Sequence, residues 1–170
     1  YQEWYGKQRT VHPGGERVIC VLPLFHIYAL TTILLRQLFN GNEILLRQRF
    51  DVETILHDIE VHRATSFAGV PTMWIALANH PGIETHDFSS LEVCSSGGAP
   101  LPAEVQARFE RLTGRRLVGG WGMSETCPAG TLIPITSPTK PGSIGLPVPQ
   151  VELDVVALDD PVRVLAAGET

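Results

Sequence analysis

The stretch "LEVCSSGGAPLPAEVQARFERLTGRRLVGGWGMSET", Leu91 to Thr126, decides the fold. Its first third, with Ser90 in front, reads as a buried strand that runs into Gly97-Gly98. Pro102 suits the first turn of a helix, where its missing N–H costs nothing. Val105, Phe109 and Leu112 then fall on one helical face, and Gly114 supplies the stop. "RRLVGG", Arg115 to Gly120, reads as the next strand. Strand, glycine turn, helix and strand over short connections form a βαβ unit, which places its two strands parallel.

The same alternation extends upstream. "RVICVLPL" (Arg17 to Leu24) is a buried-strand candidate, followed by a largely apolar helix over Ile27 to Phe39 that ends at Asn40-Gly41. "NEILLR" reads as a second strand. Asp51 caps a helix carrying Val52, Ile55, Leu56 and Ile59 at helical spacing. "ATSFAGV" is a third strand stopped by Pro71, and Thr72 to Ala78 is a short helix. The strands 90–98 and 115–120 are then the fourth and fifth. Downstream the pattern changes: "TSPTKPGSIGLPVP" is rich in Pro and Gly, and "VELDVVAL" (Val151 to Leu158) alternates as a half-buried strand. The expected fold is α/β, a mostly parallel sheet flanked by helices, with the start of a β-rich subdomain at the C-terminus. Residues 1–136 form the α/β part, and residues 137–170 form a linker with the first strands of the second.

Composition narrows the function. With 170 residues, 44% of them apolar, and a formal net charge of −5, the chain has material for a core and no clustered cationic surface. Nucleic acid is excluded as a partner because phosphate binding needs gathered Lys and Arg. Arg108, Arg111, Arg115 and Arg116 read as the solvated face and last turn of a helix. Cys20, Cys94 and Cys127 make no CxxC pair; two of the three lie in apolar runs, as buried thiols do in a reducing compartment. Ile27 to Leu35 is too short to span a bilayer, which takes ~20 residues. "YQEWYGKQRT" lacks a signal peptide's basic start and apolar stretch. The expected location is the cytoplasm. The missing initiator methionine suggests a piece of something longer.

In a parallel α/β sheet, ligands bind beyond the carboxyl ends of the strands. Three polar turns fall there: "PLFH" after the first strand, "SSGGAPLP" after the fourth and "GGWGMSET" after the fifth. The last is not a nucleophile elbow, because Thr126 stands where G-x-S-x-G needs glycine. It is not a dinucleotide fingerprint, because Glu125 replaces the third glycine of G-x-G-x-x-G. It also lacks the Gly-Lys-Ser/Thr ending of a P-loop. Two readings stay open. It is a helix start with Ser124 as N-cap, or a ligand turn in which Trp121 offers a flat face, Ser124 a hydroxyl and Glu125 a hard oxygen suited to Mg²⁺. Gly97-Gly98 likewise either breaks a strand or offers bare backbone to a flat ligand. His26 faces a ligand or is satisfied by a backbone carbonyl. His57 and His62 are five apart on the expected helix and do not share a face, which disfavours a histidine metal site. Trp74 and Met123 read as packing residues.

Together these stretches resemble the acyl-adenylating enzyme superfamily of acyl-CoA synthetases, luciferases and peptide-synthetase adenylation domains. "GWGMSE" is similar to its aromatic-Gly-x-Ser/Thr-Glu motif, "SSGGAPLP" to its adenine-side loop, "LPLFH" to its aromatic/histidine gate, and "GSIGLPVP" to the segment leading to its β-barrel subdomain. The fatty-acyl-CoA synthetases are the nearest branch. The resemblance implies that ATP, Mg²⁺, CoA and a small carboxylic acid, expected to be a fatty acid, are the partners. It implies that Trp121 stacks on adenine within a nucleotide site of Gly97, Gly98, Ala99, Pro100, Gly120, Trp121, Gly122 and Met123. Ser124 would contact phosphate, Glu125 would hold Mg²⁺, and His26 would sit beside the acyl carboxylate, these three being the catalytic set. Gly69, Val70 and Pro71 would wall the acyl pocket. Gly119 departs from relatives that carry a larger residue there.

The resemblance further implies a phosphate loop before Tyr1, and a ribose-binding aspartate and catalytic lysine beyond Thr170. The chain would then be the middle of an ATP-dependent acid–thiol ligase, inactive alone, whose parent has room for peripheral membrane contact. The alternatives are an adenylating enzyme that loads a carrier protein and a non-catalytic α/β binding module.

Overall fold

In the computed structural model the described residues are Trp4, 14–138, 140 and 142–169. The N-terminal decapeptide examined for a leader therefore lies outside them, apart from Trp4. Strand β1 (Arg17–Cys20) leads to a helix, α1, that covers 27–40 in three continuous pieces: Ile27–Ala29, a π-helical segment Leu30–Leu35, and Arg36–Asn40. Gly41 closes it in the left-handed region at φ 66°. Then follow β2 (Glu43–Leu46), α2 (Val52–Glu60), β3 (Ser66–Gly69), α3 (Pro71–Ala78), β4 (Val93–Ser96), α4 (Ala103–Thr113) and β5 (Leu117–Trp121). Two short strands, β6 (Thr131–Leu132) and β7 (Leu146–Pro147), complete the sheet.

The seven strands lie in the order β2-β1-β3-β4-β5-β6-β7. The first five are parallel, and β6 and β7 turn antiparallel. The strand order 2-1-3-4-5 reverses direction between β1 and β3, which is where open α/β sheets hold ligands. The α/β architecture is as expected from the sequence.

Alternation along the strands sorts the core into two layers. Ile19, Phe67, Cys94 and Leu117 face α2, α3 and α4, together with Leu56, Ile59, Trp74 and Phe109. Val18, Cys20 and Ala68 face α1, through Ala29 and Ile33. Each such aliphatic side chain, fully buried, stabilises by roughly 1.5–3 kcal/mol against leaving it in water. The aromatic residues interlock: Trp74 meets Phe67 and Phe109 with ring centroids 5.0 Å apart in both pairs, and its indole N–H donates to the Ser95 carbonyl at 3.2 Å. Trp74 is the packing residue the sequence suggested.

Local signals act as expected. The Asp51 carboxylate accepts the Thr54 N–H at 2.9 Å, capping α2, and this holds its pKa below the usual aspartate value. Arg47 grips buried Asp58 through two nitrogens, tying the end of β2 to α2. Cys20 and Cys94 are buried, and desolvation raises both thiols, Cys94 to about 12.

Several readings are corrected. "VELDVVAL" is not a half-buried strand; it contributes one isolated bridge, Val156 to Val164, and only Ala157 is buried. Its alternation has no neighbouring layer to bury against. His57 and His62 do meet, with ring centroids 5.4 Å apart and nearly perpendicular. Helix α2 ends at Glu60, so helical spacing no longer governs position 62. Arg108 and Arg116 are more than solvated charges: they donate to the carbonyls of Ala78 and Ile135.

Candidate functional site

The α1-facing side of the sheet is paved with small residues. Ser66 and Ala68 on β3, Ser95 on β4 and Gly120 on β5 occupy alternate positions on that side, where larger residues would fill the space beneath α1. A cavity of about 370 Å³ results, walled by α1 on one side and by these strands on the other. It opens at the carboxyl ends of the strands, where the three polar turns meet. His26, Gly97, Gly98, Gly119, Gly120, Trp121, Gly122, Met123, Ser124 and Glu125 all line it. Ala99, Pro100, Gly69, Val70 and Pro71 do not. Val70 stands behind Gly98, 3.5 Å from where a β-carbon there would lie, and Gly69 packs its Cα against Trp74.

Each turn is built for close approach. His26 is the N-cap of α1, its Nδ1 accepting the Tyr28 N–H at 3.1 Å. This corrects the reading in which a backbone carbonyl satisfies it. An accepting Nδ1 leaves the proton on Nε2, so the exposed edge of the ring is a donor. Gly97 lies against the Tyr28 phenol, whose ring would be 3.0 Å from an added β-carbon. Ser96 is 6% exposed, and its hydroxyl has no hydrogen-bond partner among the described residues.

The turn after β5 is tighter still. A β-carbon at Gly122 would lie 1.7 Å from the Pro128 carbonyl oxygen, and one at Gly130 would lie 2.4 Å from the Trp121 ring. Trp121 therefore rests on bare backbone at Gly130, and remains 38% exposed at the cavity mouth. Residues Ser124–Thr126 form a single 3-10 turn preceded by Met123. Thr126, not Ser124, supplies the cap, accepting the Met123 N–H at 3.0 Å. That removes the capping explanation for Ser124. The side chains of Ser124 and Glu125 are exposed and make no hydrogen bond among the described residues. Met123 is 46% exposed and lines the mouth, so it is not a core packing residue.

Sequence reasoning missed the deeper lining. Tyr28, Thr32, Ile33 and Gln37 come from the apolar-looking helix, and Ser66 and Ser95 from strands read only as buried. The alternate small residues of "SFAG" and "VCSS" were the available signal, because two adjacent strands carrying them cannot close against a helix. Among the described residues, no group of three His, Cys, Asp or Glu side chains is placed to hold a metal, and no helix is long and apolar enough to cross a membrane.

The arrangement offers a flat aromatic, a hydroxyl, a carboxylate and an imidazole N–H around one opening. Comparison with known proteins gives it a context. The family model described as "AMP-binding enzyme" matches residues 1–170. A long-chain-fatty-acid–CoA ligase of Bacillus subtilis is 41% identical over 142 residues, covering 84% of this chain and 25% of the ligase. The 4-coumarate–CoA ligase 3 of Arabidopsis thaliana is 41% identical over 153 residues, 86% of this chain and 27% of that one. The crystal structure of ATP-bound MatB from Rhodopseudomonas palustris superposes with a TM-score of 0.85 at 26% identity, covering 99% of this chain and 32% of MatB. The chain spans about a quarter of the length of the curated relatives it matches.

Proposed function

We propose a function from one premise: the chain belongs to the AMP-binding enzyme family. In the protein that carries it, this chain supplies the floor and one wall of a site where a carboxylic acid is activated by ATP and passed to CoA. The acid's carboxylate attacks the α-phosphorus of ATP and pyrophosphate leaves. The thiol sulfur of CoA then attacks the acyl carbon, AMP leaves, and the thiol proton is lost to solvent. The carrying observation is the convergence of Trp121, Ser124, Glu125 and His26 on a single cavity mouth.

Each residue then has a physical task. The Trp121 indole, held over Gly130, provides a stacking face for adenine. Backbone at Gly97 and Gly98 comes close to the base because neither residue has a side chain. Ser124 donates to phosphate oxygens, and the His26 Nε2–H orients the acyl carboxylate. Negative charge grows on phosphate oxygens during the attack, and fixed donors lower its cost. Glu125 fits Mg²⁺, an ion held by one or two carboxylates plus substrate phosphates; bound there, it would neutralise phosphate charge. The acid is a fatty acid, as the name of the Bacillus relative suggests. The aryl ligase of Arabidopsis, equally identical, supports an aromatic acid as the second reading. Ala99, Pro100, Gly69, Val70 and Pro71 act from behind the lining rather than on the ligand.

Calorimetric titration of this chain with Mg-ATP tests the reading. Glu125→Ala and Trp121→Ala should each weaken binding about tenfold. Wild-type affinity in both variants would overturn it, as would pyrophosphate release by a full-length protein lacking the Trp121, Ser124, Glu125 and His26 side chains.

A further inference from the structure

The cavity does not stop at the nucleotide turns. It runs back beneath α1 along the strands, past Ile33 and Val18, to their amino ends at Ser66 and Val93. Between Val93 and the rim at Gly97 the strand advances roughly 13 Å. The walls along this path are mostly apolar, with Thr32 and Ser95 among them, and the inner end is more polar. Gln37 and Arg36, from the last turn of α1, line it, with Ser66 alongside.

The orientation of the Gln37 amide follows from its neighbours. The Glu16 backbone N–H donates to Asn42 Oδ1 at 3.3 Å, which fixes the Asn42 side chain. Its Nδ2 must then donate, and the Gln37 atom receiving it at 2.7 Å is Oε1. Nε2 is left as the inward donor. Gln37 is 0% exposed, and this nitrogen has no hydrogen-bond partner among the described residues. A buried donor in that state favours any ligand that brings an acceptor to it. Arg36 adds no net charge to the end, because buried Glu16 stands 3.9 Å from it.

We propose that this cavity is a selective acyl channel whose inner end reads an uncharged hydrogen-bond acceptor on the far end of the substrate. The preferred acid carries a keto, hydroxyl or amide oxygen roughly 13 Å from its carboxylate, with a largely apolar chain between. The proposal rests on the acid-activating function inferred above. Neutralisation of Arg36 by Glu16 disfavours a second carboxylate, and the polar inner end disfavours an unsubstituted alkyl terminus.

The test uses the full-length protein that contains this chain, with ATP and acid-dependent pyrophosphate release as the readout. A saturated medium-chain acid is compared with acids of the same length bearing a keto or a hydroxyl group at the far end. The keto and hydroxy acids should exceed the saturated acid about tenfold in kcat/KM. Gln37→Leu should bring that ratio close to one. Gln37→Glu keeps the oxygen that Asn42 requires but replaces the donor with an acceptor, so it should favour the hydroxy acid, which donates, over the keto acid, which cannot. Equal kcat/KM for all three acids in the wild type, or an unchanged preference in both variants, would overturn the channel proposal while leaving acid activation intact. No pyrophosphate release with any acid would remove acid activation itself, and the channel reading with it.

Discussion

Between Arg17 and Trp121, apolar side chains alternate across a parallel sheet and meet helices on both faces; between Val151 and Glu169, comparable side chains stand in water. Ile19, Phe67 and Leu117 are fully buried, whereas Leu158 is 106% and Val162 85% exposed. Hydrophobicity does not separate the two regions. What separates them is that each of the first four parallel strands is followed within a few residues by a helix that returns over the sheet and covers it. Antiparallel segments such as 151–169 have no such local cover, and their burial waits on a second layer from elsewhere. The comparison teaches that the first region holds its shape by its own packing and the second by turns and surface polar contacts such as the Arg163–Glu169 pair.

The largest expected effect lies in the first region. Trp74→Ala would remove an indole touching Phe67 and Phe109 and strip the Ser95 carbonyl of its donor. A loss of about 3–5 kcal/mol is expected, read as a lower urea midpoint by circular dichroism. A smaller effect is expected at the sheet's edge. Arg47→Met would leave the buried Asp58 carboxylate without its two charged hydrogen bonds, costing about 2 kcal/mol in the same measurement. The smallest belongs to the second region. Leu158→Ser should change stability by less than about 0.5 kcal/mol, since the side chain touches water on all sides. A cost above ~1 kcal/mol for Leu158→Ser would break the comparison, because it would mean that the segment packs in solution. A Trp74→Ala variant as stable as the parent would break it from the other side.

The sheet-and-helix order was legible because its signals are local. Pro71, Pro102, Asp51, Gly41 and Gly114 each start or stop a helix where their own backbone chemistry requires. The mouth of the site was legible for a related reason: turns at strand ends must carry glycine and polar residues to leave the sheet, and in this architecture those ends share one edge. "VELDVVAL" misled because alternation records a face fit for burial without naming what would bury it. His57 and His62 misled because helical spacing was carried past the last helical residue. Ser124 stayed ambiguous until Thr126 was seen making the cap, a choice between two hydroxyls two residues apart.

The depth of the site lay further from reach. The cavity exists because Ser66, Ala68, Ser95 and Gly120, on three different strands, fall on the same face under the same helix. Register and strand order bring them together, and neither is written in any one segment. The inner donor of Gln37 depends on Asn42 and on the backbone of Glu16, 21 residues before it in the chain. The sequence by itself determined the α/β alternation, the caps and the polar turns, since each rests on interactions among residues a few positions apart. Tertiary structure alone decided the empty volume beneath α1, the amide nitrogen at its end left without a partner among the described residues and the exposure of the final segment, because packing and burial are properties of neighbours that the chain brings together only on folding.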